Sequence, residues 1–215
     1  MEMELEKREA LRYLGYGTGG ADRETEKLLE DCLLEAKEAA DLRHVCREYS
    51  LSVSPEGLLD CGIFQTESRS LKRVLKDCDR VLFMAATLGS GVDRLLFRYG
   101  KLSIARAVFL QAASAAMIES YCNGLCAGWK REYEKQGLFL RPRFSPGYGD
   151  FPLSVQPAVL RALEAEKRIG LTLTDGFLML PSKSVTAVMG ISRTPAFCAP
   201  EGCEACGKTD CAYRR

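Results

Sequence analysis

Apolar residues recur at helical spacing through most of the first forty positions. Residues 4–14 and 22–41 each set such a stripe amid charge, the pattern of a helix that lays one face on a core. Asp22, just ahead of Arg-Glu-Thr-Glu, is placed to cap the second of them. The pattern then changes. Residues 44–53 are rich in β-branched and aromatic side chains and run into Pro55-Glu56-Gly57, which predicts a strand and a turn. A helix is expected over 68–78, and "RVLFMAATLG", 80–89, reads as a buried strand that opens into Gly89-Ser90-Gly91 and a helix over 92–99.

One long helix is predicted over 103–135, with a basic last turn, a bend near Gly124 and Gly137 as its stop. After the turn-rich stretch "RFSPGYGDFPLS", 143–154, an amphipathic helix is expected over 155–168, ending at Gly170. "FLMLPSKSVTAVMGIS", 177–192, predicts two strands joined by a tight Pro-Ser-Lys-Ser turn, hence a β-hairpin. Strands and helices do not alternate regularly, so the expected class is α+β, a mixed or antiparallel sheet with helices around it. Three segments are expected: an N-terminal helical or α+β portion over 1–100, a core over 101–195 and a cysteine-rich tail over 196–215.

Composition changes this picture little. Thirty basic residues against 29 acidic ones give no global field for nucleic acid, and no membrane partner is expected. The most apolar long window, 107–129, holds Gln111, Glu119 and Asn123 and predicts a buried helix rather than a membrane span. The charged first residues lack the apolar stretch of a secretory signal, which predicts a cytoplasmic protein whose ten cysteines are not a disulfide framework.

Four places carry candidate chemistry. Gly89-Ser90-Gly91, between a strand and a helix, suits a phosphate, but it has neither a dinucleotide fingerprint nor a Walker lysine and reads first as a tight turn. Glu119 is the only charged residue between Arg106 and Lys130; it lies on an exposed stripe, pairs with an arginine, or is used. In "RFSPGYGDFPLS", Pro146-Gly147 makes a turn, and Asp150 or Ser154 is placed to cap the next helix. Arg143 and Tyr148 flank that turn, so backbone amides, a guanidinium and a ring gather within six residues. At the C-terminus, Cys198, Cys203, Cys206 and Cys211 have the spacing C-x4-C-x2-C-x4-C, which suits either one zinc ion or an iron-sulfur cluster. Cys122 and Cys126, one helical turn apart, read as core thiols first and ligands second, and His44, the single histidine, as structural.

Residues 143–192 closely resemble the activation domain of cobalamin-dependent methionine synthase, whose signature is an arginine, a small residue two positions on, then Pro-Gly-Tyr. The order that follows also matches: helix, Gly-x-x-Leu-Thr turn, strand, Pro-x-x-Ser-Val, strand. With the upstream helix "VFLQAASAAMIESY", the resemblance spans 108–192. It implies a C-shaped α+β fold that binds S-adenosylmethionine and presents its methyl group to cob(II)alamin while flavodoxin, or a ferredoxin, supplies an electron. Carried over, Arg143 and the backbone about Ser145, Pro146 and Gly147 would hold the carboxylate and adenosine portions, Tyr148 would line the groove, and Glu119 would face the ligand's positive charge. No catalytic residue is implied.

The homocysteine, folate and cobalamin modules of the full synthase do not fit in 215 residues, which leads us to expect a stand-alone activation protein acting on a separate methionine synthase or another corrinoid methyltransferase. Where the family has a tyrosine beyond the second strand, ungapped alignment puts Phe197, and the cysteine tail follows at once. A [4Fe-4S] centre there would be placed to deliver the electron. The alternative is a metal-stabilised module that docks on a corrinoid protein without catalysis. A radical S-adenosylmethionine enzyme is disfavoured, because C-x3-C-x2-C is absent.

Overall fold

The computed structural model describes residues 2–16 and 20–195. In chain order its elements are α1 (Glu2–Tyr13), α2 (Arg23–Ala39), β1 (Arg43–Ser50), β2 (Ser52–Val53), β3 (Leu59–Asp60), β4 (Gln65–Thr66), α3 (Arg69–Val74) and β5 (Cys78–Thr87). These are followed by α4 (Ser90–Leu102), α5 (Ile104–Glu134), β6 (Phe139–Leu140), a 3-10 turn (Leu153–Val155), α6 (Gln156–Ala162), α7 (Ala165–Ile169), β7 (Thr172–Leu173), β8 (Met179–Leu180) and β9 (Ser184–Ser192). The class is α+β, and the strand pairings are antiparallel. Among the described residues no helix is long and apolar enough to cross a membrane.

The chain divides into two compact units. One takes the residues up to Leu42 together with Leu88–Tyr121; the other takes Arg43–Thr87 and the residues from Cys122, so α5 contributes to both.

The first unit is helical. Asp22 caps α2 as expected, its carboxylate accepting the Thr25 amide at 2.9 Å. Lys7 of α1 reaches Glu26 and Glu30 of α2, and Lys37 of α2 reaches Glu6 of α1, while Leu29, Cys32, Leu33 and Ala36 turn inward. Arg106 bonds Glu35, and its guanidinium stacks 5.1 Å from the Tyr99 ring. The α2–α4 packing accounts for Gly91, and a φ of 79° for Gly89. A Cβ on Gly91 would sit 2.0 Å from the Ala39 carbonyl oxygen, so only glycine lets the two helices approach this closely.

The second unit is built on a four-stranded sheet in the order β1-β5-β9-β6. β5 and β9 lie in its middle and are buried along nearly their whole length, as the unbroken apolar run at 81–86 demands. Behind them pack Leu71, Leu75, Phe151, Val159, Leu163 and Ile169. Arg141 is 2% exposed; its Nη2 donates to the Lys76 carbonyl at 3.2 Å and to Ser192 Oγ at 3.1 Å, binding the end of α3 to the last strand.

Several expectations are corrected. The hairpin over 177–192 does not form. β9 pairs with β5 from Thr87↔Ser184 to Cys78↔Ser192, whereas β8 pairs with β7 in a separate two-stranded sheet. A nine-residue strand buried on both faces needs long partners, which two residues of β8 do not provide. The helix expected over 68–78 ends at Val74, because Asp77 turns left-handed (φ 59°) and β5 begins at once. The helix expected over 155–168 divides at Glu164, also left-handed (φ 50°). Arg47 and Tyr49 of β1 donate to the Ala162 carbonyl at 2.9 and 3.0 Å, supplying partners at the break, and Glu164 pairs with Arg47 and Arg168. The turn at 55–57 belongs to a small three-stranded sheet, β2-β3-β4, that the pattern did not indicate.

Candidate functional site

The residues singled out at 143–150 form a double turn in the second unit. Phe144 anchors it: its N–H and C=O both bond to Val188 of β9 at 2.9 Å, an isolated bridge beside the sheet. The next four residues close a turn through Tyr148 N–H to Ser145 C=O at 3.3 Å. Pro146 supplies the fixed φ of the second position and Gly147, at φ 94°, the left-handed third, the type II arrangement. A second turn follows directly, Phe151 N–H to Tyr148 C=O at 3.0 Å, and Gly147 N–H reaches the Phe151 carbonyl at 2.8 Å. Below the turns the Phe144 and Phe151 rings stack 6.0 Å apart, with Phe151 fully in the core. Tyr148, 66% exposed, leans on Phe144 at 6.4 Å.

Asp150 does not cap the helix that follows it. Its carboxylate reaches back about eighty residues in sequence to the start of α3, accepting from Ser68 Oγ at 2.7 Å, Arg69 N–H at 2.8 Å and Ser70 N–H at 3.0 Å. These donors hold its carboxyl well below the usual carboxylate range, the Ser68 hydroxyl contributing most. Ser68 in turn accepts the Leu71 amide as N-cap of α3. Gly149 fits this junction because a Cβ there would lie 2.7 Å from Ser70 Oγ. Ser154 sits inside the 3-10 turn and caps nothing by its side chain.

Of the two arginines before the turn, Arg141 is structural and Arg143 is half-buried, its Nη2 donating to Asn123 Oδ1 on α5 at 2.9 Å. The sequence marked Asn123 only as a polar interruption of an apolar window, not as a partner of Arg143. The available signal is its spacing, four residues beyond Glu119 in a helix otherwise poor in polar side chains. Glu119 is half-buried on α5 and belongs to the first unit, whereas Arg143, Ser145, Pro146, Gly147 and Tyr148 all belong to the second.

The remaining candidates take their quieter readings. The edge of the His44 ring packs on Trp129, centroids 5.8 Å apart, and burial pulls its pKa down. Cys122 is buried, and Cys126 Sγ lies 3.7 Å from Met189 Sδ. Burial pushes the Cys61 thiol up to about 12 and the Cys32 thiol to about 11, so neither is a ready nucleophile. Among the described residues no group of three or more His, Cys, Asp or Glu is placed to hold a metal. Cys198, Cys203, Cys206, Cys211 and Phe197 lie outside them. A depression of about 820 Å³, lined by Pro157, Leu160, Arg161, Glu164 and Lys167 among others, shares no residue with the double turn. Its Glu164 is engaged by Arg47 and Arg168.

No family model matches the chain, and no curated protein matches it. Among solved structures it is similar to the MetH reactivation domain, determined bound to AdoHcy, with a TM-score of 0.57 and 18% sequence identity. The match covers 78% of this chain and 65% of that one, so this chain spans a little under two thirds of the neighbour's length. An α+β fold with a mixed or antiparallel sheet was expected, and the chain has the fold of the MetH reactivation domain.

Proposed function

We propose that this chain binds S-adenosylmethionine on the 143–148 double turn and supports reductive remethylation of cob(II)alamin carried by a separate protein, a cobalamin-dependent methionine synthase or a related corrinoid methyltransferase. The observation that carries the reading is the turn itself. Its backbone is tied at both ends, it presents an exposed aromatic ring, and it stands beside a guanidinium oriented by a neutral amide, on a fold shared with a domain solved with AdoHcy.

These residues suit the ligand's parts. The Arg143 guanidinium is a fork for a carboxylate, and the Asn123 bond limits the directions in which it points. Tyr148 offers an open ring face to a nucleobase, with Phe144 backing it. Ser145, Pro146 and Gly147 keep the backbone in one conformation, so little order has to be gained on binding. Glu119 is assigned to the ligand's positive charge by the resemblance. When bound, S-adenosylmethionine would supply an electrophilic methyl group and leave as S-adenosylhomocysteine, with the partner's corrinoid as acceptor and flavodoxin or ferredoxin as source of the one electron. The chain's own work is positioning and docking.

The four tail thiols, Cys198, Cys203, Cys206 and Cys211, are proposed to hold one metal centre, zinc or [4Fe-4S]. Anaerobic reconstitution with iron and sulfide decides between them: broad visible absorbance marks the cluster, and a colourless protein with one zinc marks the other.

Calorimetric titration tests the main reading. S-adenosylmethionine is expected to bind with measurable heat and, at about a hundredfold excess over its dissociation constant, to stabilise the chain by about 2.7 kcal/mol. Absence of both heat and stabilisation leaves a module that docks on a corrinoid protein without binding the methyl donor.

A further inference from the structure

The balanced charge of the chain hides a separation within the first unit. From Arg94 to Ile118 the sequence holds four basic residues and no acidic one. Three of the four, Arg94, Arg98 and Lys101, are exposed on α4. The same stretch leaves four large apolar side chains in water about the α4–α5 corner: Phe97 (67% exposed), Leu102 (67%), Ile104 (78%) and Val108 (50%). Lys101 already lies over the Phe97 ring at 4.1 Å, and Ile104 and Val108 share one helix face. Apolar residues gathered this densely at one corner are uncommon on a surface meant to stay wet.

The neighbouring helix carries the opposite character. On α2 the exposed stripe reads Lys27, Glu30, Asp31, Leu34 and Glu38, three carboxylates against one lysine, with Leu34 51% exposed among them and Glu30 also binding Lys7. α2 and α4 pack against each other, so the acidic stripe and the basic corner belong to adjacent elements of one unit. A surface that carries a patch and its complement side by side is self-complementary under a two-fold rotation.

We propose that this surface pairs with a second copy of the chain, in a two-fold dimer that sets the basic α4–α5 corner of each copy on the acidic α2 stripe of the other. The apolar side chains supply the attraction, and the charges fix the register and exclude the parallel arrangement in which like charges meet.

Sedimentation equilibrium of the full chain tests this, from about 1 to about 100 µM protein at about 0.05 and about 0.5 M salt. The expected result is a dimer that weakens as salt rises. Ile104→Asp and, separately, Leu34→Asp are each expected to raise the dimer dissociation constant about tenfold or more. Both side chains are exposed in the single chain, so thermal melting of the dilute variants stays that of the parent. A chain that is monomeric throughout the range overturns the proposal and leaves the corner to an acidic protein of another kind. A dimer indifferent to both substitutions overturns it equally, since the copies then meet elsewhere.

Discussion

Two glycine-containing loops in this chain look alike in sequence and do different work. At Gly91 the glycine is needed by a neighbour: the missing side chain is the space through which α2 and α4 touch, while Gly89 ahead of it takes a φ of 79°. At Pro146-Gly147 the glycine is needed by its own backbone, because φ is 94° while a Cβ there would meet only Leu153 Cδ1 at 3.5 Å. The first use consumes the loop's surface in packing. The second leaves the surface open, which is why Tyr148 stands in water beside it. A glycine held by φ alone, like Gly147, leaves surface open that a glycine held by contact, like Gly91, does not.

Substitutions break this comparison at different points. The largest effect is expected from Gly91→Ala, whose Cβ has no room beside the Ala39 backbone; about 3 kcal/mol of stability should be lost, read by urea unfolding. Arg143→Ala comes next: S-adenosylmethionine affinity should fall about a hundredfold, while the urea midpoint changes by less than about 1 kcal/mol equivalent. Unchanged affinity would remove Arg143 from the site. Gly147→Ala is smaller, about 1 kcal/mol from forcing a left-handed conformation on a residue with a Cβ, and it should weaken ligand binding because the turn loosens.

Asp150→Asn is expected to show mainly as a pH effect. The folded-state pKa of Asp150 is depressed, so its contribution is fully present above the unfolded carboxylate value of about 3.9 and is lost as pH falls from there through the folded-state value. Unfolding midpoints measured from about pH 5 to about pH 2 should decline less steeply in the variant. A parallel decline would show that the α3 cap carries no pH-dependent stability.

The parts legible in sequence are those whose cause is local. The stripes of α1 and α2, the Asp22 cap and the Gly170 stop of α7 each depend on residues within a turn or two, and each appears near its expected place. The hairpin failed because pairing is not local: β9 finds β5 about a hundred residues upstream, and the two-residue β8 has no claim on it. The same reason hid part of the candidate site. The Arg-x-Ser-Pro-Gly-Tyr stretch declares its turn through proline and glycine, but nothing near Asp150 announces that its partners are Ser68, Arg69 and Ser70. Nor does anything beside Arg143 name Asn123.

The reach of Asp150 has one more consequence. The amides of Arg69 and Ser70 are closed by a carboxylate that belongs to the double turn, so their exchange with solvent deuterium requires the turn to let go. Those two amides are thus a clock for the opening of a loop far away in sequence, and a ligand that stills the loop should slow them.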